Sequence, residues 1–414
     1  MDLLKLKDSI CFQFYESLYL KGYYDKCKLT ISKDRCEFKE PILFIPTTQH
    51  GKQESCLEII LFKSTLLNMF CTSHDYWKDR TLLENNNNNN NNNSNNAELF
   101  YNYIMTLGFL IGSYDEHTFL RLHEDIFFKL LTSDKSYFEN SYLLPASLVQ
   151  KEIYLVELLL SSNQPRINKS SILWKLYQKL YVLQLFYYPN TVKLDYLDTC
   201  LSSAEAHFSN YYCWNSLKWF SDNAYVKQSK RFSNICKIKE FCLRNLRDNS
   251  AWYCYSYLLI HINGDTTYNC RDFQRLYTKL ASKMGTKGQD LANKGIAGID
   301  SNPVQLDLRS EINAVIDLIN NLRVPTSPQF NFLYYLLLNG NEEHMVDTKL
   351  LAGWESEVCD FENKFMSLEL KHCDPPEIHD SYNNDLKFIS EFQFMYHLKY
   401  FLHKYKAILK LRER

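Results

Sequence analysis

Three tryptophans recur at near-constant spacing, Trp174, Trp214 and Trp252, 40 and then 38 residues apart, in the contexts SSILWKLY, NYYCWNSL and DNSAWYCY. A repeat of this length decides architecture before any other signal is weighed. Each indole follows a short polar loop (168–171, 209–210 and 248–250) and opens an apolar run, the pattern of a helix start. Upstream of each loop lies a second apolar stretch: Ile153 to Leu160, Leu194 to Phe208 and Ile235 to Leu246. Tyr154, Leu155, Leu158 and Leu159 form one helical stripe, and Trp174, Tyr177 and Tyr181, or Trp252, Tyr255 and Leu259, form another. The unit is therefore helix, loop, helix. One hairpin cannot bury both apolar faces, whereas stacked hairpins share a core, so the expected fold is all-α, an α-solenoid in a crescent.

Length and composition agree with a helical chain. At 414 residues it exceeds the roughly 250–300 at which single cores stop growing, a limit that repeat stacking avoids. Gly and Pro number only 11 and 10, too few for many short strands, while 30 Tyr and 26 Phe foretell a ring-packed core. A net charge of −1 argues against a global electrostatic grip on nucleic acid. Thirteen cysteines without a C-x-x-C pair read as reduced core thiols of a cytoplasmic protein. No secretory leader is evident in MDLLKLKDSICF. The window Leu99 to Tyr114, broken by Asn102, Gly108, Gly112 and Ser113, is too short and interrupted for a membrane span.

The expected organisation is a lead-in over 1–83, a disordered Asn-rich insert over 85–96, and a helical-repeat domain over 98–414. Within the lead-in, Ile42 to Ile45 and Leu57 to Phe62 read equally as strands or helix fragments. Strong repeats occupy about 150–265. Degenerate ones are expected at about 98–131, with Leu120 in the tryptophan place, and at 305–340, with Phe332 there. A last helix over about 386–412 turns Phe394, Leu398, Phe401, Tyr405 and Ile408 to one side and Lys399, His403, Lys406 and Lys410 to another. It reads as a cap on the stack, or alternatively as a contact with a membrane surface or an acidic partner.

Chemistry-bearing motifs are sparse. His372, Cys373, Asp374, His379 and Asp380 have metal-ligand chemistry, but no second ligand cluster lies nearby, which favours a solvated loop. Gly285, Gly288, Gly295 and Gly298 lack the spacing and context of a phosphate-cradling loop. No nucleophile elbow, H-E-x-x-H or kinase set is present, so no catalytic residue, cofactor site or metal site is assigned.

The repeats resemble those of the protein prenyltransferase alpha subunits, whose unit runs Pro-Lys/Asn-x-Tyr/Ser-x-x-Trp, and most of all its repeat-containing members. The matching pieces are Lys169 to Trp174, Asn210 to Trp214 and Asn249 to Trp252. One feature departs: the family's Arg three places after each Trp is here Tyr177, Leu217 and Tyr255. The resemblance implies a non-catalytic alpha subunit wrapping a beta subunit of the Rab geranylgeranyltransferase type. That partner would carry the zinc, and the pair would prenylate a C-terminal cysteine of an acceptor protein. It also implies that Lys169 lies near the prenyl diphosphate, the alternative being an ordinary surface lysine. The competing reading is a helical-repeat scaffold unrelated to prenylation, and a third is a self-sufficient enzyme.

Overall fold

The computed structural model describes residues 8–24, 26–34, 40–48, 55–86, 96–113, 116–133, 145–223, 228–261, 271–285, 307–339, 346–369 and 381–412. The chain is mostly helical, with a small three-stranded sheet near its start. The sheet falls within the mixed lead-in expected over 1–83, and the rest of the described residues are helical or connecting segments. Residues 1–220 and 268–295 form one compact unit, and residues 221–267 and 296–414 a second.

The first unit opens with α1 (Ile10–Ser17), capped by the Ser9 hydroxyl on the Phe12 amide at 3.2 Å, and a 3-10 turn over Leu18–Tyr23. Strands β1 (Lys26–Ser32), β2 (Ile42–Thr48) and β3 (Ser55–Phe62) follow, in spatial order β1-β3-β2, β3 running parallel to β1 and antiparallel to β2. The undecided apolar runs at 42–45 and 57–62 are thus strands. Leu29 faces Ile59 and Ile31 faces Leu61 across the ladder, and all four are buried. One face of the sheet is therefore core. Pro46 lies in the edge strand, where a missing amide is tolerated.

Helices α2 (Lys63–Asn86), α3 (Asn96–Gly112), α4 (His117–Thr132), α5 (Pro145–Leu160), the one-turn α6 (Pro165–Asn168), α7 (Ser171–Tyr187) and α8 (Tyr196–Ala206) complete most of this unit. Of the insert expected to be disordered, Asn85 and Asn86 finish α2 and Asn96 begins α3, while 87–95 lie outside the described residues. α3 is a core helix with residues 102–111 all buried, which explains its apolar window without a membrane. It pairs with α4, Phe109 stacking on Phe119 with centroids 4.1 Å apart. After α5 the chain doubles back to the sheet: Asn163 takes the free edge of β1, its amide donating to the Leu29 carbonyl at 3.2 Å and its side chain accepting from the Ile31 amide at 2.9 Å.

α9 (Tyr211–Asn223) crosses the division between the units. α12 (Arg271–Lys283) was not anticipated, although Phe273, Tyr277 and Leu280 recur at helical spacing and are buried. It packs on α7 of the first unit, where Phe186 meets Tyr277 at 4.8 Å, rather than on its neighbour in sequence.

The second unit holds α10 (Gln228–Arg244), α11 (Asn249–His261), α13 (Leu308–Leu322), α14 (Pro328–Asn339), α15 (Thr348–Glu369) and α16 (Ser381–Arg412). α14 lies against α11 and α16, and α16 against α15. The stripe Phe394, Leu398, Phe401, Tyr405 and Ile408 is buried as expected, Phe330 and Trp354 closing on it. On the opposite side Lys399 pairs with Glu362 and Lys406 with Glu355. The His372 to Asp380 cluster and most of the glycine-rich loop lie outside the described residues.

Candidate binding surface

Each of the three tryptophans is the fourth residue after a helix cap. Ser170, Asn210 and Asp248 accept the amides of Leu173, Cys213 and Ala251 with their side chains, and their carbonyls accept the amides of Trp174, Trp214 and Trp252 at 3.2, 3.3 and 3.2 Å. A short polar cap followed by a bulky apolar first turn is why the sequence starts a helix there. All three indoles are buried. Beyond that their settings diverge. Trp174 Nε1 donates to the Asn168 carbonyl at 3.0 Å, whereas Trp252 Nε1 has no acceptor among the described residues. Phe332 lies five places after Ser327, the residue before α14, and packs directly on Trp252 at 5.4 Å, so it is that indole's neighbour. Lys169 ends α6, one residue before the Ser170 cap, half-buried, and its charge adds to burial in pushing the His207 imidazole down.

Two of the three Arg places, those of Tyr177 and Tyr255, carry interior polar contacts, and the third holds the buried, apolar Leu217. Tyr177 donates to Glu157 at 2.8 Å, and Lys21 pairs with the other oxygen of the same carboxylate. Tyr255 donates to Glu311 at 2.6 Å beside Lys239 at 2.7 Å. A third set links Tyr103 to Glu152 at 2.6 Å, Glu152 to His123 Nε2 at 2.9 Å, and His123 Nδ1 to Thr106 Oγ1 at 2.7 Å. Burial pushes the phenols of Tyr103, Tyr177 and Tyr255 well above their ordinary range, and Glu152 and Glu311 push the first and last further.

A hydroxyl, an imidazole and a carboxylate in line also have the parts of a nucleophile relay. Thr106, His123 and Glu152 are each 0% exposed, so no substrate atom reaches Thr106 Oγ1. Buried polar groups that satisfy one another are structural here.

A shallow cleft of about 260 Å³ lies between the 3-10 turn and α5. Tyr19, Gly22 and Tyr23 line one side and Ser147, Gln150, Lys151 and Tyr154 the other. Tyr19 and Tyr23 stand edge to face, centroids 6.0 Å apart and planes at 89°, and are 50% and 75% exposed. Gly22 permits the close approach across the cleft, since a Cβ there would lie 3.3 Å from Tyr154 Oη. The cations beneath are engaged: Lys151 bonds Glu16 at 3.2 Å and covers the Tyr15 ring, and Lys21 lies 5.2 Å from the Tyr154 ring centroid in addition to its Glu157 pair. Gln150 is held at both ends by the Lys193 backbone, at 2.9 and 2.7 Å. The sequence stripe containing Tyr154 is correct for Leu155, Leu158 and Leu159, while Tyr154 itself sits at the rim of the cleft. The cleft escaped sequence reasoning because its walls are more than a hundred residues apart.

Comparison with known proteins decides the relationship. The profile of the ECM9 N-terminal domain matches residues 4–161 and that of the ECM9 middle domain residues 173–280. Protein ECM9 of Saccharomyces cerevisiae is 31% identical over 398 residues, 96% of each chain. The chain belongs to the ECM9 family. No prenyltransferase family matches, and no solved structure matches.

The resemblance to prenyltransferase alpha subunits is thereby corrected, and with it the assigned role in geranylgeranyl transfer, the Rab-type beta subunit and the cysteine-bearing acceptor. The physical reason lies in the motif. A cap, three residues and a buried indole describe one turn of helix, which unrelated helical hairpins share, and the Arg that would have made the motif specific is missing. Lys169 near a diphosphate, and zinc in a partner, came only with that resemblance and lose their ground with it. Among the described residues no helix is long and apolar enough to cross a membrane, and no group of three or more His, Cys, Asp or Glu is placed to hold a metal.

Proposed function

We propose that this ECM9-family chain is a non-catalytic helical scaffold for protein–protein contact, and that the tyrosine cleft of its first unit is a contact surface. The single observation that carries the reading is the contrast between the interior and the cleft. The three interior carboxylates described above are closed by their own tyrosine and a lysine or histidine, whereas Tyr19 and Tyr23 hold large amphipathic rings out to solvent. Tyrosine gives contact area at little entropic loss, which is why it is enriched at interfaces. Within this reading the helical hairpins, each opened by a capped tryptophan turn, are repeat units that share core with their neighbours.

A photo-crosslinking amino acid at position 23 tests it in cells, with Gly353 of α15, an open surface position, as the control. Discrete adducts at 23 that disappear with Tyr19→Ala are expected. No adduct at 23, or the same smear at both positions, overturns the reading.

A further inference from the structure

Resting on the scaffold reading, we propose that the Tyr19–Tyr23–Tyr154 cleft takes a proline-rich segment in the polyproline II conformation. Ring geometry is the first reason. Tyr19 and Tyr23 pack edge to face and together form one aromatic wall, with Tyr154 across the cleft from it, and rigid proline rings dock into aromatic-lined grooves of this kind.

Charge is the second. Lys151 and Lys21 are each held by a carboxylate and an aromatic face, so the slot offers an acidic peptide little charge to pair with. Hydrogen bonding is the third. Gln150 is engaged at both ends and Lys151 is held by Glu16, so the polar lining is mainly donors, the hydroxyls of Ser147 and the tyrosines with the Lys151 ammonium beside them. An extended strand would bring amides that need carbonyl acceptors. Proline brings no N–H, and polyproline II makes no internal hydrogen bonds, so its carbonyls need only the donors that phenols supply. Size is the fourth. About 260 Å³ in a shallow cleft falls below the roughly 300–1,000 Å³ of small-molecule sites and suits a short stretch lying across it.

Fluorescence anisotropy on the full chain tests the proposal, with labelled decaproline, a Gly-Ser peptide and an acidic peptide of equal length. Decaproline is expected to bind at least about tenfold tighter than either, the step that a few buried ring contacts supply. Tyr19→Ala and Tyr23→Ala should each weaken it about fivefold or more, Tyr23→Phe less, and Gly353→Ala not at all. Unchanged helical circular dichroism will show that these exposed positions leave the fold intact. Equal binding of the three peptides, preference for the acidic one, or indifference to Tyr19→Ala overturns the inference. Photo-adducts at position 23 without decaproline binding defeat this inference alone. Failure of both experiments defeats the scaffold reading too.

Discussion

One substitution, glycine to alanine, should act with opposite sign at two helical positions. In α3 a Cβ on Gly108 would fall 2.1 Å from the Met69 carbonyl oxygen and 2.3 Å from Ser73 Oγ of α2. Ordinary contact begins at 3.4 Å, so the two helices would have to part by roughly 1.3 Å. The carbonyl is backbone and cannot rotate away as a flexible side chain would. Parting the helices also disturbs the buried Cys11 thiol, which lies 3.8 Å from both Met69 O and Ser73 Oγ. Overpacking of this kind costs about 1–3 kcal/mol, occasionally more, against the ~1 kcal/mol that alanine gains over glycine in a helix interior. A backbone clash this close belongs at the upper end, so a net loss of about 2 kcal/mol is expected. At Gly353, with nothing within 4 Å of the added carbon, only the helix gain remains, about 0.5–1 kcal/mol of stabilisation. Urea denaturation followed by circular dichroism gives the two signs, and hydrogen exchange over 63–86 and 96–112 localises the first. Should Gly108→Ala match the parent chain in midpoint and exchange, the close crossing of α2 and α3 is wrong.

Alkaline pH should destabilise the fold. The folded-state phenols of Tyr103, Tyr177 and Tyr255 are raised above the ordinary value of 10, so their contribution is complete below pH 10 and is lost as pH climbs beyond it. Each raised phenol removes about 1.4 kcal/mol per pH unit above 10 until it titrates in the folded chain, and urea midpoints at pH 8 and 11 that coincide would contradict this. Asn168→Ala should lower stability by about 2 kcal/mol, because it takes the 2.6 Å donor from the buried Leu160 carbonyl and removes its bonds to the Ser203 carbonyl and the Asn210 amide, which keep only the His207 amide and the Ser203 hydroxyl. A thermal or urea shift within error of zero would mean that this asparagine bridge is not formed.

Much of the helical skeleton was legible. The caps at Ser170, Asn210 and Asp248, the hairpin around 98–131 and the last helix's apolar stripe follow from patterns within a few residues. α12 was equally readable from Phe273, Tyr277 and Leu280 and was passed over. Family membership was misread for the same reason that the helices were readable: the tryptophan signature encodes a helix start, and nothing in it encodes a partner.

The amino-acid sequence alone therefore settled where helices begin and which faces are apolar, because an α-helix closes its bonds four residues away and its caps within three. The strands over 26–62, the Tyr–Glu–cation sets and the cleft between Tyr23 and Tyr154 were decided only in three dimensions. A strand needs a neighbour's backbone and a buried carboxylate needs donors from other elements. Those partners lie tens to more than a hundred residues away, beyond the reach of any local pattern.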